Sequence, residues 1–110
     1  MTATRNPPTR RQPDAAAGEL LEADPDFANE YLATALEEAE QPGGQAALLG
    51  ALRHVAEAQG MATVAQRAGI PRETLYRALG PKGNPTVKTL LAVLSAAGLR
   101  VAVTRDSTHA

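Results

Sequence analysis

Apolar residues recur at helical spacing in five successive stretches of the chain, and glycine or proline separates each stretch from the next. The predicted helices begin near Asp24, Gln45, Ala62, Pro71 and Thr86. They end at or shortly before Pro42, Gly60, Gly69, Gly80 and Gly98, residue types that commonly terminate helices. Asp24 and Thr86 each offer a side-chain oxygen that can cap the first turn of a helix. The pattern predicts an all-α fold of five helices.

The last apolar positions follow a different period. Leu99, Val101 and Val103 alternate with Arg100, Ala102 and Thr104, which predicts a short C-terminal β-strand with one apolar face. The rest of the sequence offers this strand no partner. We therefore expect it to pair with another chain or to pack as an extended tail.

The two ends of the chain do not continue the helical pattern. Residues 1–23 hold three prolines and three arginines but few large apolar side chains, so they predict a flexible tail. One domain is expected over residues 24–104, with a second tail at 105–110. We expect neither a signal peptide nor a membrane span, and the absence of cysteine is compatible with a cytoplasmic protein.

Charge is distributed unevenly along the chain. Nine acids and no bases lie between Asp14 and Glu40, whereas seven bases and one acid lie between Met61 and Arg105. The second half, with a net charge of +6, suits a phosphate backbone. The alternative is that both runs are solvated helix faces that differ only in sign.

The segment from Thr63 to Leu79 has the spacing of a helix-turn-helix. Such a motif needs a small residue where its helices cross, here Ala65, and a turn residue with positive φ, here Gly69. The predicted apolar wedge consists of Val64, Ala68, Ile70, Leu75 and Ala78. The alternative is an ordinary helical hairpin with a glycine turn.

A recognition helix would expose hydrogen-bonding side chains to the bases of duplex DNA. The candidates for DNA contact on that helix are Arg72, Glu73, Thr74, Tyr76 and Arg77. Lys82, Asn84 and Lys88 follow it and are expected to contact phosphates. Glu73 has an alternative role, since an acid in the first turn favours the helix dipole.

Enzyme chemistry finds little support in the sequence. The chain has no cysteine, and its two histidines, His54 and His109, are far apart, so no metal site and no cofactor are expected. His54 lies between apolar helix positions and is predicted to be a surface or boundary residue. Only three aromatic residues are present, which argues against a stacking platform for single-stranded nucleic acid.

Residues 24–103 resemble the addiction-module antidote proteins, antitoxins with a Cro/repressor-type helix-turn-helix that are encoded beside small toxins of the RelE/ParE kind. The resemblance is carried by Tyr31–Leu32, Ala51–Arg53, Gln59–Met61, Ala65–Gly69, Arg72–Tyr76, Gly83–Pro85, Thr89–Leu90 and Gly98–Leu99. It implies operator binding as a homodimer, repression of the chain's own operon and neutralisation of a toxin. The first 23 residues are not a feature that we associate with this family.

The acidic first helix is the expected contact for such a toxin. Because the resemblance implies a basic toxin, we expect Glu30, Glu37 and Glu38 to contact it and Phe27, Tyr31 and Leu36 to lie in the core. The alternative is a solvated helix face. Two other functions stay open: a Cro-type repressor without a toxin partner, and a protein-interaction module that does not bind DNA.

Overall fold

A computed structural model of the chain describes residues 19–21, 24 and 26–105. Its five principal helices are α1 (Phe27–Glu37), α2 (Gly44–Gln59), α3 (Met61–Ala68), α4 (Arg72–Ala78) and α5 (Val87–Ala96). Residues 19–21 are also helical. The predicted all-α class is confirmed, and each predicted helix is present. No helix in the described part of the chain is long and apolar enough to cross a membrane.

A single core joins all five helices. The largest fully buried side chains come from α2 to α5 and from the residue that follows α4: Leu52, Val55, Val64, Leu75, Leu79 and Val93. Ala28 and Leu32 supply the buried side chains of α1. Burying an aliphatic side chain of this size contributes about 1.5–3 kcal/mol relative to leaving it exposed. The short helices α3 and α4 therefore depend on this core rather than on their own propensity.

The connection between α3 and α4 is a tight turn. Gly69 has φ +77°, a left-handed conformation that glycine adopts without steric cost. The Ile70 N–H donates to the Ala65 carbonyl at 3.1 Å and closes α3. Pro71 is extended, and its carbonyl accepts the first hydrogen bond of α4 from Leu75 at 3.0 Å. The predicted turn at Gly69 and the start of the next helix near Pro71 are both confirmed.

Of the two predicted helix caps, the one at Thr86 is confirmed and the one at Asp24 is wrong. The Thr86 hydroxyl accepts from the Thr89 N–H at 3.1 Å and caps α5, as predicted. The N-cap of α1 is Asp26 rather than Asp24, and its side chain makes no capping bond. The Asp24 carboxylate accepts from the Asp26 N–H at 3.1 Å. It stabilises the turn that precedes α1 instead of the first turn of the helix.

The predicted C-terminal strand is not present in the described chain, where residues 99–105 form no strand. Leu99 packs against the core, and its N–H donates to the Leu94 carbonyl at 2.8 Å. Val101 and Val103 are 54% and 93% exposed. A strand requires the backbone groups of a neighbouring strand, and the described residues supply none. Pairing of this segment with a second chain stays a prediction.

Two further expectations differ from the structure. Leu21 falls in the predicted tail but is only 5% exposed and belongs to the core. The residues of the two predicted tails that lie outside the described residues are 1–18, 22, 23 and 106–110, and residue 25 is also outside them. Leu36 was expected in the core but is 55% exposed. Ala28 and Leu32 already occupy the core-facing side of α1, so Leu36 in the last turn lines a shallow groove beside Leu94 and Val101.

Candidate nucleic-acid interface

Helix α4 has one buried and one exposed face. Leu75, and Leu79 just beyond the helix end, are 0% and 1% exposed and fix the helix to the core. The predicted DNA-contacting side chains that point to solvent are Arg72, Glu73, Tyr76 and Arg77. Thr74 is half-buried and is therefore less exposed than those four residues. The helix therefore presents two guanidinium groups, a carboxylate and a phenol on a rigid support.

Arg72 and Tyr76 lie one helical turn apart and interact. The guanidinium carbon of Arg72 is 5.7 Å from the centre of the Tyr76 ring. Such a cation–π contact at an exposed site contributes about 0.5–1 kcal/mol. It restricts the rotamers of Arg72 without consuming its hydrogen-bond donors, which remain available to a ligand.

The cations of this face have no carboxylate partner in the described part of the chain. Within residues 19–21, 24 and 26–105, the one ion pair joins Arg53 and Glu57 in α2, at 4.0 Å. Glu73, the acid of the face, forms no ion pair with Arg72 or Arg77. Among the described residues, therefore, no ion pair neutralises Arg72 or Arg77.

The loop after α4 is held against the end of that helix. The Gly83 N–H donates to the Gly80 carbonyl at 2.9 Å. A Cβ on Gly83 would lie 2.0 Å from the Ala78 carbonyl oxygen and 2.7 Å from its carbon. Only glycine allows this approach, because a Cβ cannot come so close to a backbone carbonyl. The contact fixes the position of the basic loop relative to α4.

A shallow depression forms where α4 meets this loop. Its lining includes Glu73, Tyr76, Arg77, Pro81 and Lys82. The structure therefore brings four of the predicted DNA-contacting residues together. Asn84 and Lys88 are exposed farther along the chain and do not line the depression.

Two polar residues outside the sequence prediction fix the end of α5. The Gln59 amide donates to the Ala97 carbonyl at 2.9 Å, and the Arg67 guanidinium donates to the Ala96 carbonyl at 3.4 Å. A cation near the C-terminus of a helix also stabilises its dipole. Arg67 thus has a structural partner within the domain. Nothing in its sequence spacing distinguishes it from the exposed arginines of α4.

A second surface carries the predicted toxin contact. Glu30, Glu37 and Glu38 are all exposed on or just after α1. Glu30 and Glu38 line a groove between α1 and α2, whereas Glu37 does not. The Tyr31 hydroxyl lies 2.7 Å from His54 Nδ1, which joins the two helices beneath this groove. His54 is half-buried, so its prediction as a surface or boundary residue is confirmed.

Metal chemistry gains no support from the described residues. They contain no group of three or more histidine, cysteine, aspartate or glutamate side chains that could hold a metal ion.

Comparison with known proteins gives one broad match and one partial match. The profile of a family described as "Probable addiction module antidote protein" matches residues 14–105, a range that includes all five helices. An uncharacterised protein of Haemophilus influenzae is 45% identical over 56 residues, which are 51% of this chain and 58% of that relative. No solved structure matches the chain at a significant level. The first 13 residues precede the range that the family profile matches.

Proposed function

The chain belongs to the family of probable addiction module antidote proteins, and on this premise we propose that it is a DNA-binding antitoxin. It binds its own operator, represses its operon and neutralises a small toxin of the RelE/ParE kind. The observation that carries the DNA-binding part is the exposed face of α4. That face holds Arg72 and Arg77 without a carboxylate partner among the described residues, on a helix fixed by Leu75.

In this proposal α3 and α4 form the helix-turn-helix, and α4 enters the major groove. The first residues of a recognition helix meet base edges, so Arg72 is placed to donate to O6 and N7 of a guanine. Glu73 and Thr74 take flanking base contacts, while Tyr76 orients Arg72. Arg77 and the three polar residues after α4 (Lys82, Asn84 and Lys88) bind phosphates, which set the register of the protein on the duplex.

Operator binding of this type uses two copies of the protein. Two half-sites about 34–36 Å apart require two recognition helices, which supports a homodimer. A second copy of the protein could bury the exposed apolar side chains on α5 and in the C-terminal segment, which are Val87, Leu91, Val101 and Val103.

The toxin contact is assigned to the acidic surface of α1. An acidic helix is repelled by DNA, so Glu30, Glu37 and Glu38 are expected to face away from the duplex and toward a basic toxin. Opposite charges accelerate association and make it sensitive to salt.

Substitution of these three acids is expected to slow toxin binding. The Glu30→Gln/Glu37→Gln/Glu38→Gln variant should associate roughly 10-fold more slowly than the parent at low salt, because electrostatic steering is lost. The two rates should converge at high salt. Stopped-flow measurement against the purified toxin checks this, with Glu19→Gln/Glu40→Gln/Glu73→Gln as the control, which also removes three exposed acidic charges. An unchanged association rate at every salt concentration would contradict the assignment.

The antitoxin function is tested by expressing the small protein encoded beside this chain with and without it. The proposal predicts growth arrest by that protein alone, rescue by the full chain and co-purification of the two. A plain repressor would bind DNA in vitro but would give neither rescue nor co-purification.

A further inference from the structure

The groove between α1 and α2 is open and chemically distinctive. We refer to it as the aromatic groove, which is lined on its floor by Phe27, Tyr31, Ala35, Ala47 and Ala51 and at its rim by Glu30 and Glu38. In the proposed toxin contact, Glu30 and Glu38 of this groove contribute only their negative charge. Its aromatic floor is left without a role.

The two aromatic rings of the groove make defined contacts with their neighbours. The Phe27 and Tyr31 rings stack with centroids 5.7 Å apart. The hydroxyl of Tyr31 is held at 2.7 Å from His54 Nδ1, so the ring is fixed at both ends. No lysine or arginine lines the groove within the described residues. A half-buried aromatic surface with two carboxylates at its rim fits an extended segment that carries cations and proline rings.

The chain itself contains a segment of that composition. Residues 1–13 hold three arginines, three prolines and no acid. Proline favours the polyproline II conformation, which docks in aromatic-lined grooves at a low entropic cost. Arg10 and Arg11 lie between Pro8 and Pro13, so cations and proline rings alternate along the segment. These residues also precede the range matched by the family profile.

Thirteen residues, 14–26, separate this segment from Phe27. The Asp24 N–H donates to the Leu20 carbonyl, and the Phe27 N–H donates to the Asp24 carbonyl, both at 2.9 Å. Two hydrogen-bonded turns thus connect residues 19–21 to Phe27, which lines the groove. Six residue steps from Pro13 to Glu19 span at most about 20–22 Å. A tether this short gives an effective concentration in the millimolar range.

We infer that residues 1–13 bind in the aromatic groove of the same chain, with arginine side chains at Glu30 and Glu38 and proline rings on Phe27 and Tyr31. The inference concerns the isolated protein and does not depend on DNA binding or on the identity of a toxin.

The test compares ¹⁵N-labelled full-length protein with a variant that lacks residues 2–13. The inference predicts amide shift differences at Tyr31, Ala35, Gly43 and Ala47, and none at α4. The Glu30→Gln/Glu38→Gln variant of the full chain should lose most of these differences. The matched control is Glu37→Gln/Glu40→Gln, which removes two exposed acids that do not line the groove and should keep the differences.

Salt and protein concentration provide two further readouts. The shift differences should shrink at 0.5 M salt, because screening weakens the rim contacts, and should not change with protein concentration. Spectra that agree at the groove between full-length and truncated protein would overturn the inference. Differences that grow with concentration would also overturn it, because they would assign the groove to a second copy or to intermolecular exchange of the segment.

Discussion

Gly83→Ala is expected to lower the free energy of unfolding by about 1–3 kcal/mol, a typical cost of forcing an extra methyl group into a packed site. The added Cβ would lie 2.0 Å from the Ala78 carbonyl oxygen, and a backbone carbonyl cannot yield as a flexible side chain can. The loop must therefore move away from α4. In a domain of this size each kcal/mol corresponds to a fall of about 4–8 °C in Tm.

Gly50→Ala is the matched control for this prediction. Gly50 lies inside α2, and nothing comes within 4 Å of the Cβ that alanine would add. Alanine is favoured over glycine in a helix by about 0.5–1 kcal/mol, so this variant should melt at or above the parent temperature. Thermal denaturation followed by circular dichroism compares the two. Equal melting of Gly83→Ala and the parent would show that the basic loop is not held against α4.

Arg72→Ala is expected to weaken operator binding by about 1–3 kcal/mol, which corresponds to a factor of about 5–150. The guanidinium is the group on α4 best suited to read a guanine, and its contact with Tyr76 already restricts its orientation. The loss should be confined to the operator and should relax preference at one base pair. Random duplexes of the same length should lose much less affinity.

Lys88→Ala is the comparison for a residue that binds phosphate. It should weaken binding to all duplexes alike and lower the slope of log K against log salt by about one. Fluorescence anisotropy on operator and random duplexes over a range of salt separates the two variants. If Arg72→Ala reduced binding to both duplexes equally, Arg72 would be a phosphate ligand and the assignment of base reading to it would be wrong.

The helices were predictable because local signals agree with tertiary packing at their ends. Gly69 occupies the left-handed position that the turn requires, and Thr86 caps α5 with its own hydroxyl. Leu75 and Leu79 are four residues apart and lie on the same face. This spacing predicted them as core residues, and both are buried in the structure. The exposed positions of α4 follow directly from this, so the candidate interface could be read from helical periodicity.

The errors arise where tertiary context decides. Alternation of apolar residues at 99–103 predicted a strand, but no neighbouring strand exists in the described chain to satisfy its backbone. Leu36 has helical spacing from Leu32, yet only Leu32 meets the core. Likewise, the bonds of Gln59 and Arg67 to the end of α5 join residues 38 and 29 positions apart, separations for which a single sequence gives no signal.

The most direct test of the DNA-binding claim is the affinity of the full-length protein for a duplex from upstream of its own gene, relative to a shuffled duplex of the same composition. At about 150 mM salt, the account predicts binding at least about 10³-fold tighter to the upstream duplex. Protection should cover two half-sites about 34–36 Å apart. Equal affinity for the two duplexes, or no binding to either at low salt, would contradict the account.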